Sequence, residues 1–118
     1  MNISRGDIVL VDFPFSAGGA AKVRPALVVP NDRDNQRLTN TIVAMITSRT
    51  RRALTEPTQL FIDVSTSEGK HSGLLMNSAV NCANLFTLDK QKILRTLGQL
   101  PVELMAQIND CVKASLDV

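Results

Sequence analysis

The sequence predicts a small, mostly-β barrel capped by one C-terminal helix. Three observations carry this: short apolar, β-branched runs are broken by turn residues along most of the chain, the runs follow one another closely enough to pair antiparallel, and only the last stretch repeats its apolar residues at helical spacing. At 118 residues the chain fits one domain, residues 1–118, because compact domains usually hold ~100 to 150 residues and two cores would compete for too little apolar surface. Hydrophobic residues make up 44% and charged residues 20%, a balance that excludes a disordered, collagen-like or coiled-coil chain.

Ile8 to Phe13 leaves Gly6-Asp7 and stops at Pro14, and its β-branched residues make it the first strand. The small residues Ser16-Ala17-Gly18-Gly19-Ala20-Ala21 form a loop. Val23 to Val29, with Pro25 near its start and Pro30 at its end, and the nearly all-apolar Thr41 to Ile46 are the second and third strands. Beyond the arginine-rich stretch Arg49 to Arg52, Leu60-Phe61-Ile62-Asp63-Val64 reads as a fourth strand; a polar loop then runs to Gly73, and Ser78 to Cys82 reads as a fifth. Ile93 to Leu100 fits a helix as well as a strand, since its apolar residues fall at 93, 94, 97 and 100. Pro101 suits a first helical turn, and after it Leu104, Met105, Ile108, Cys111, Val112 and Leu116 recur along one helical face.

The net charge of +2 averages a split. Residues 1–52 hold eight Lys/Arg against four Asp/Glu, and residues 53–118 hold five against seven, so +4 faces −2. A basic front half fits a nucleic-acid partner, and it fits equally well a set of solvated surface arginines. The only aromatics are Phe13, Phe15, Phe61 and Phe86, too few for a module that stacks several bases on exposed rings. Cys82 and Cys111 lack CxxC spacing and a nearby histidine cluster, so neither a metal, another cofactor nor a disulfide framework is expected. The first residues lack the apolar segment of a signal peptide, and no apolar run approaches the ~18 residues of a membrane span, so a cytoplasmic protein without membrane contact is expected.

Enzyme signatures built on protein nucleophiles are weak. His71, the only histidine, lies in the polar loop Gly69-Lys70-His71-Ser72-Gly73, which does not supply the oriented imidazole of a Ser-His-Asp or Cys-His site. Gly18-Gly19 lacks the spacing of a phosphate loop. Asp7 and Asp12 pair on paper as carboxylates but read as strand-end solvation. More informative is Lys22-Val23-Arg24-Pro25-Ala26-Leu27-Val28-Val29. Proline biases the residue before it toward extended geometry, so Arg24 is held on a rigid element at the barrel's end, where a guanidinium suits a phosphate. Thr41 to Ile46 ends in Thr47-Ser48, two hydroxyls placed where the strand runs out into Arg49 to Arg52; by pattern alone these residues also read as a barrel rim that its charged and hydroxyl groups merely solvate.

At these residues the sequence resembles the MazF/PemK family, the toxins of type II toxin-antitoxin systems. The resemblance runs through Arg5-Gly6-Asp7-Ile8-Val9-Leu10-Val11-Asp12-Phe13, the glycine-rich loop, Arg24-Pro25-Ala26-Leu27-Val28-Val29, the Thr41 to Ser48 strand, Gly73-Leu74 before Ser78, Asn84-Leu85-Phe86-Thr87-Leu88-Asp89, and Gly98-Gln99-Leu100. Each piece alone is weak; their order and spacing together are specific. The resemblance implies an SH3-like barrel with helices that dimerises, makes Ile93 to Leu100 a strand, and makes the final stretch a helix. It also implies a sequence-specific, metal-independent endoribonuclease, an mRNA interferase. Such an enzyme cuts single-stranded RNA through attack of the 2′-hydroxyl, leaving 2′,3′-cyclic phosphate and 5′-hydroxyl ends. Arg24 matches the family's catalytic arginine and Thr47 its catalytic threonine. Lys22, Ser48, Arg49, Arg51, Arg52 and Ser78 are the RNA-binding candidates. The implied partners are a cognate antitoxin whose acidic tail covers the RNA groove, a second copy of the chain, and DNA only as a complex with the antitoxin.

Some relatives place an arginine and an aspartate after the turn matching Gly73, where this chain has Met76 and Ser78. The general base is therefore open among Asp12, His71 and Ser78, and tRNA or rRNA stand beside mRNA as targets. Two other readings compete: a non-catalytic SH3-like binding module, and a DNA-binding corepressor that acts with its antitoxin. The presence of both Arg24 and Thr47 favours the nuclease.

Overall fold

The computed structural model describes residues 2–13 and 22–118. Six strands, β1 (Asp7–Phe13), β2 (Lys22–Val28), β3 (Asn40–Thr47), β4 (Gln59–Ile62), β5 (Ser78–Asp89) and β6 (Ile93–Gln99), form one antiparallel sheet in the order β4-β5-β3-β2-β1-β6. Helices α1 (Asp32–Arg37), α2 (Ser67–Lys70) and α3 (Val102–Leu116), with 3-10 turns at Arg51–Leu54 and Lys90–Lys92, complete the described elements. The mostly-β expectation and the C-terminal helix hold, and Ile93 to Gln99 is a strand. The glycine-rich loop lies outside the described residues.

The barrel is open, because the edge strands β4 and β6 do not pair. Alternating side chains from the sheet divide into two cores. Ile8, Leu27, Ala44, Ile46, Leu60, Ile62, Val80 and Cys82 face Leu100, Met105, Ile108 and Cys111, so α3 fills one side of the curved sheet. On the other side Val9, Val11, Phe13, Ala26, Val28, Val43, Leu88 and Ile93 pack around Ile3, and Phe13 meets Phe86 edge-on at 5.7 Å between ring centroids.

The fourth strand ends at Ile62 rather than Val64, and α2 is a single helical turn inside the expected polar loop; two larger departures concern β5 and α1. The fifth strand runs to Asp89 rather than ending at Cys82. It pairs with β3 twice: Asn81 is opposite Met45 and Leu85 opposite the adjacent Ala44, so Cys82-Ala83-Asn84 forms an irregularity at which the strand bends. The Asn81 side-chain oxygen accepts from the Ala83 N–H at 3.0 Å. Helix α1 carries no apolar periodicity. It is held instead by its cap, where the Asn31 side chain accepts from the Asp34 N–H at 2.9 Å, by Asp32 and Asp34 in its first turn and by Arg37 in its last.

The segment that matters most for the site is pressed against β6. The Gln99 N–H donates to the His71 carbonyl at 2.8 Å. A β-carbon on Gly73, whose φ is +73°, would stand 2.0 Å from the Leu97 carbonyl oxygen, and one on Gly98 would stand 2.4 Å from the His71 carbonyl oxygen. Both clashes are with backbone, which has no rotamer to yield. Gly98→Ala is expected to lower unfolding stability by roughly 3 kcal/mol, the upper range for forcing a methyl group into filled space. An unchanged denaturation midpoint in guanidinium would contradict this close approach.

Candidate active site

Where β2 and β3 leave their ladder, the register carries Arg24 toward Thr47. The last β2–β3 pair is Ala26 opposite Met45, and Arg24 and Thr47, two residues beyond it on each strand, both line the space that opens there. A cleft of about 340 Å³ opens there. Leu10, Arg24, Pro25, Ile46, Thr47 and Ser48 line one part of it, and Gly73, Leu74, Leu75, Met76, Ser78, Arg95 and Leu97 line the rest. Its apolar floor comes from the sheet, its polar groups from strand ends, and its outer lip from the loop that the Gly73 contact seats on β6.

The hydroxyls differ in what they have left to offer. Thr47 Oγ1 accepts the Arg49 N–H at 3.1 Å, so its own hydrogen is the group available to a ligand oxygen. Ser48 is exposed. Ser78 is 3% exposed, and its Oγ donates to the Met76 carbonyl at 2.9 Å. Ser78 therefore fixes the lip. Asn77 secures the same loop from outside, its side-chain oxygen accepting the Val64 N–H at 2.9 Å. At the mouth Leu75 is 96% and Met76 58% exposed.

Of the eight residues singled out from sequence, Arg24, Thr47, Ser48 and Ser78 meet in this cleft, and Lys22, Arg49, Arg51 and Arg52 do not line it. Lys22 starts β2, opposite Phe13, while Arg51 and Arg52 are exposed on a single 3-10 turn. Of the three base candidates, Asp12 is opposite Val23 on the β1–β2 ribbon and is not part of the lining. His71 belongs to a different depression, with Gln99, Leu100 and Pro101. Ser78 is in the cleft with its proton committed to Met76. No carboxylate or imidazole is among the described lining residues. Sequence reasoning missed Leu10, the Leu74-Leu75 lip, Leu97 and Arg95. Arg95 sits in the segment whose helix or strand character was ambiguous, so its facing depended on a pairing with β1 that no local pattern announces.

The thiols offer no alternative nucleophile. Burial pushes the Cys82 thiol up to about 12, and the neighbouring Cys111 adds to the rise. Cys111 is also raised, first by burial and then by the charge of Asp110. Both therefore stay protonated near neutral pH inside the core, and the thiolate is the reactive form.

The family model for the PemK-like, MazF-like toxin of type II toxin-antitoxin systems matches residues 4–116. The chain belongs to this family. It is 34% identical over 120 aligned positions to the endoribonuclease MazF6 of Mycobacterium tuberculosis strain H37Rv, covering all of both chains. It is 31% identical over 117 positions to the endoribonuclease EndoA of Bacillus subtilis, covering 98% of this chain and 96% of that one. Its fold matches a mycobacterial endoribonuclease solved in complex with its cognate antitoxin, with a TM-score of 0.76, 24% identity, and coverage of 98% of this chain and 96% of that one.

In this MazF-like chain, native protein is expected to take up almost no thiol reagent at neutral pH, and two equivalents once unfolded. Rapid labelling of the native state would contradict the buried, protonated state of Cys82 and Cys111.

Proposed function

We propose that the chain is the toxin of a type II toxin-antitoxin pair, acting as a sequence-specific, metal-independent endoribonuclease on single-stranded RNA, with mRNA as principal target. The observation that supports this best is the meeting of Arg24, Thr47, Ser48 and Ser78 in one cleft whose lining has no carboxylate or imidazole. A serine or threonine without an oriented base is a poor nucleophile. RNA supplies its own in the 2′-hydroxyl, next to the phosphorus it attacks, so the protein's task reduces to placing the strand and stabilising charge.

In this reading the 2′-oxygen bonds to phosphorus as the bond to O5′ breaks. The 2′-hydroxyl proton passes to hydroxide or water and O5′ takes a proton from water, leaving a 2′,3′-cyclic phosphate and a 5′-hydroxyl. Arg24 binds the non-bridging oxygens and stabilises the added negative charge of the phosphorane-like state, since a guanidinium stays charged and presents several donors. Thr47 donates its free hydroxyl hydrogen to the same phosphate, helped by Ser48. Ser78 acts by holding the lip. Lys22, Arg49, Arg51 and Arg52, outside the cleft, attract the strand on either side of it.

The endoribonuclease names of the relatives support the activity, and a structural neighbour solved with its cognate antitoxin supports the partner. A cationic cleft with Leu75 and Met76 exposed at its mouth suits an acidic, partly apolar antitoxin segment that orders on binding and occludes RNA. A homodimer is the proposed active unit, DNA is bound only together with the antitoxin, and the cytoplasm is the proposed compartment. Among the described residues no helix is long and apolar enough to cross a membrane.

Purified protein incubated with long single-stranded RNA in EDTA is expected to give discrete fragments with cyclic phosphate ends. Arg24→Ala should lower kcat by about 100-fold or more, as loss of one transition-state donor does elsewhere. Absence of cleavage by folded protein, with RNA or antitoxin still bound, would favour a binding module instead. Because no carboxylate, imidazole or thiol is among the described lining residues, the 2′-proton leaves to hydroxide, and kcat/KM is expected to rise with pH between roughly pH 5 and 8 without a bell. A bell-shaped profile would restore a titrating base or acid such as His71 or Asp12.

A further inference from the structure

Arg95 shares the cleft with Arg24 yet has no role in the reading above. It lies opposite Leu10, and Leu10 lies opposite Pro25, so Pro25, Leu10 and Arg95 form a row across β2, β1 and β6, with Arg24 adjacent to one end. Neighbouring strands are about 4.8 Å apart, which separates the β2 and β6 backbones by about 10 Å. Arg24 is one residue off this row, opposite Val11, and near the start of β2 it lines the same cleft as Arg95, so two guanidiniums based about 10 Å apart border one groove. The surface between them is aliphatic, from Leu10, Leu74 and Leu97, and suits a sugar or base face rather than a charge.

Arg95 is also uncommitted. The single ion pair among the described residues joins Arg37 to Asp34, and the hydrogen bonds of the described residues that involve arginine side chains belong to Arg5 and Arg37. The lining around Arg95 contains no carboxylate to neutralise it. A second cation placed in a largely apolar cleft, without a protein anion, is arranged for an anion from outside.

We propose that Arg95 binds the phosphate next to the scissile one, so that Arg24 and Arg95 clamp one nucleotide step across the Leu10 floor. This rests on single-stranded RNA being the substrate. Arg95 then acts by binding the strand, and its contact is equally strong before and during the reaction, which affects KM and leaves kcat in place.

Cleavage of a short single-stranded RNA is measured at roughly 50 and 200 mM salt, with binding of the same oligonucleotide carrying a 2′-deoxy sugar at the cleavage site followed by fluorescence anisotropy. Arg95→Ala is expected to raise KM and the dissociation constant about tenfold with kcat unchanged. It should also make the log–log salt dependence of binding shallower by about 0.7, the loss of one single-strand phosphate contact. Arg95→Lys should recover most of the salt slope, because it keeps a point charge. Arg33→Ala on α1 controls for net charge and should leave all three quantities unchanged.

Folded Arg95→Ala with unaltered KM, affinity and salt slope would overturn the proposal. So would an equal fall in kcat and kcat/KM, which would put Arg95 on the reacting phosphate, or new self-association with normal RNA binding, which would make Arg95 a guard of the exposed β6 edge. If wild-type protein binds the oligonucleotide without cutting, the nuclease reading fails while the anisotropy series still decides Arg95. If it binds no RNA at all, both fail.

Discussion

Between the loop at His71–Gly73 and the end of β6 there is no space for a side chain, and that close approach positions the rest of the site. Gly73 lies over the Leu97 carbonyl and Gly98 under the His71 carbonyl, with a 2.8 Å hydrogen bond from Gln99 joining the two segments. The chain leaves this contact as the Leu74–Met76 lip and is fixed again where Ser78 donates to Met76 and Asn77 accepts from Val64. The lip is an irregular segment, but it is anchored at both ends to backbone that has nowhere to move. That gives a loop the positional accuracy usually reserved for sheet and helix.

The site's chemistry follows from which groups already have partners. Thr47 gives one lone pair to the Arg49 N–H and keeps its hydrogen, whereas Ser78 has given its hydrogen away. The two hydroxyls are similar in sequence and different in their bonding, one with its hydrogen uncommitted in the cleft and one supporting the wall. The cysteines are removed from reaction by burial in the core beneath α3. What remains in the cleft is a set of donors and cations, well suited to a reaction whose nucleophile and leaving group both belong to the substrate.

The sequence already made legible the strands whose apolar alternation is local, β1 to β4, and the helical face of α3. It also made Arg24 and Thr47 legible, because proline stiffening and a strand end are properties of adjacent residues. It did not reveal the continuation of β5 past Cys82, since Asn81 and Asn84 look like a turn and serve instead to absorb a change of register with β3. Helix α1 was hidden because its stability comes from caps and charges rather than an apolar stripe. The arginine-rich stretch at 49–52 drew attention by its density, yet the second cleft arginine is Arg95, a single residue whose position is set by pairing with a strand some 85 residues earlier in the chain.

That long separation has a bearing on synthesis. β1 is the first strand made, yet it lies between β2 and β6, and Asp7 waits for Gln99, whose side chain donates to it at 2.9 Å. The floor of the cleft needs Leu97, and the lip needs β6 beneath it. Contacts so distant in sequence form only when both ends of the chain are free to meet. A growing chain on the ribosome therefore has no assembled cleft until β6 has emerged. The cleft is thus the last part of the sheet to be completed, since β6 supplies both part of its lining and the seat of its lip.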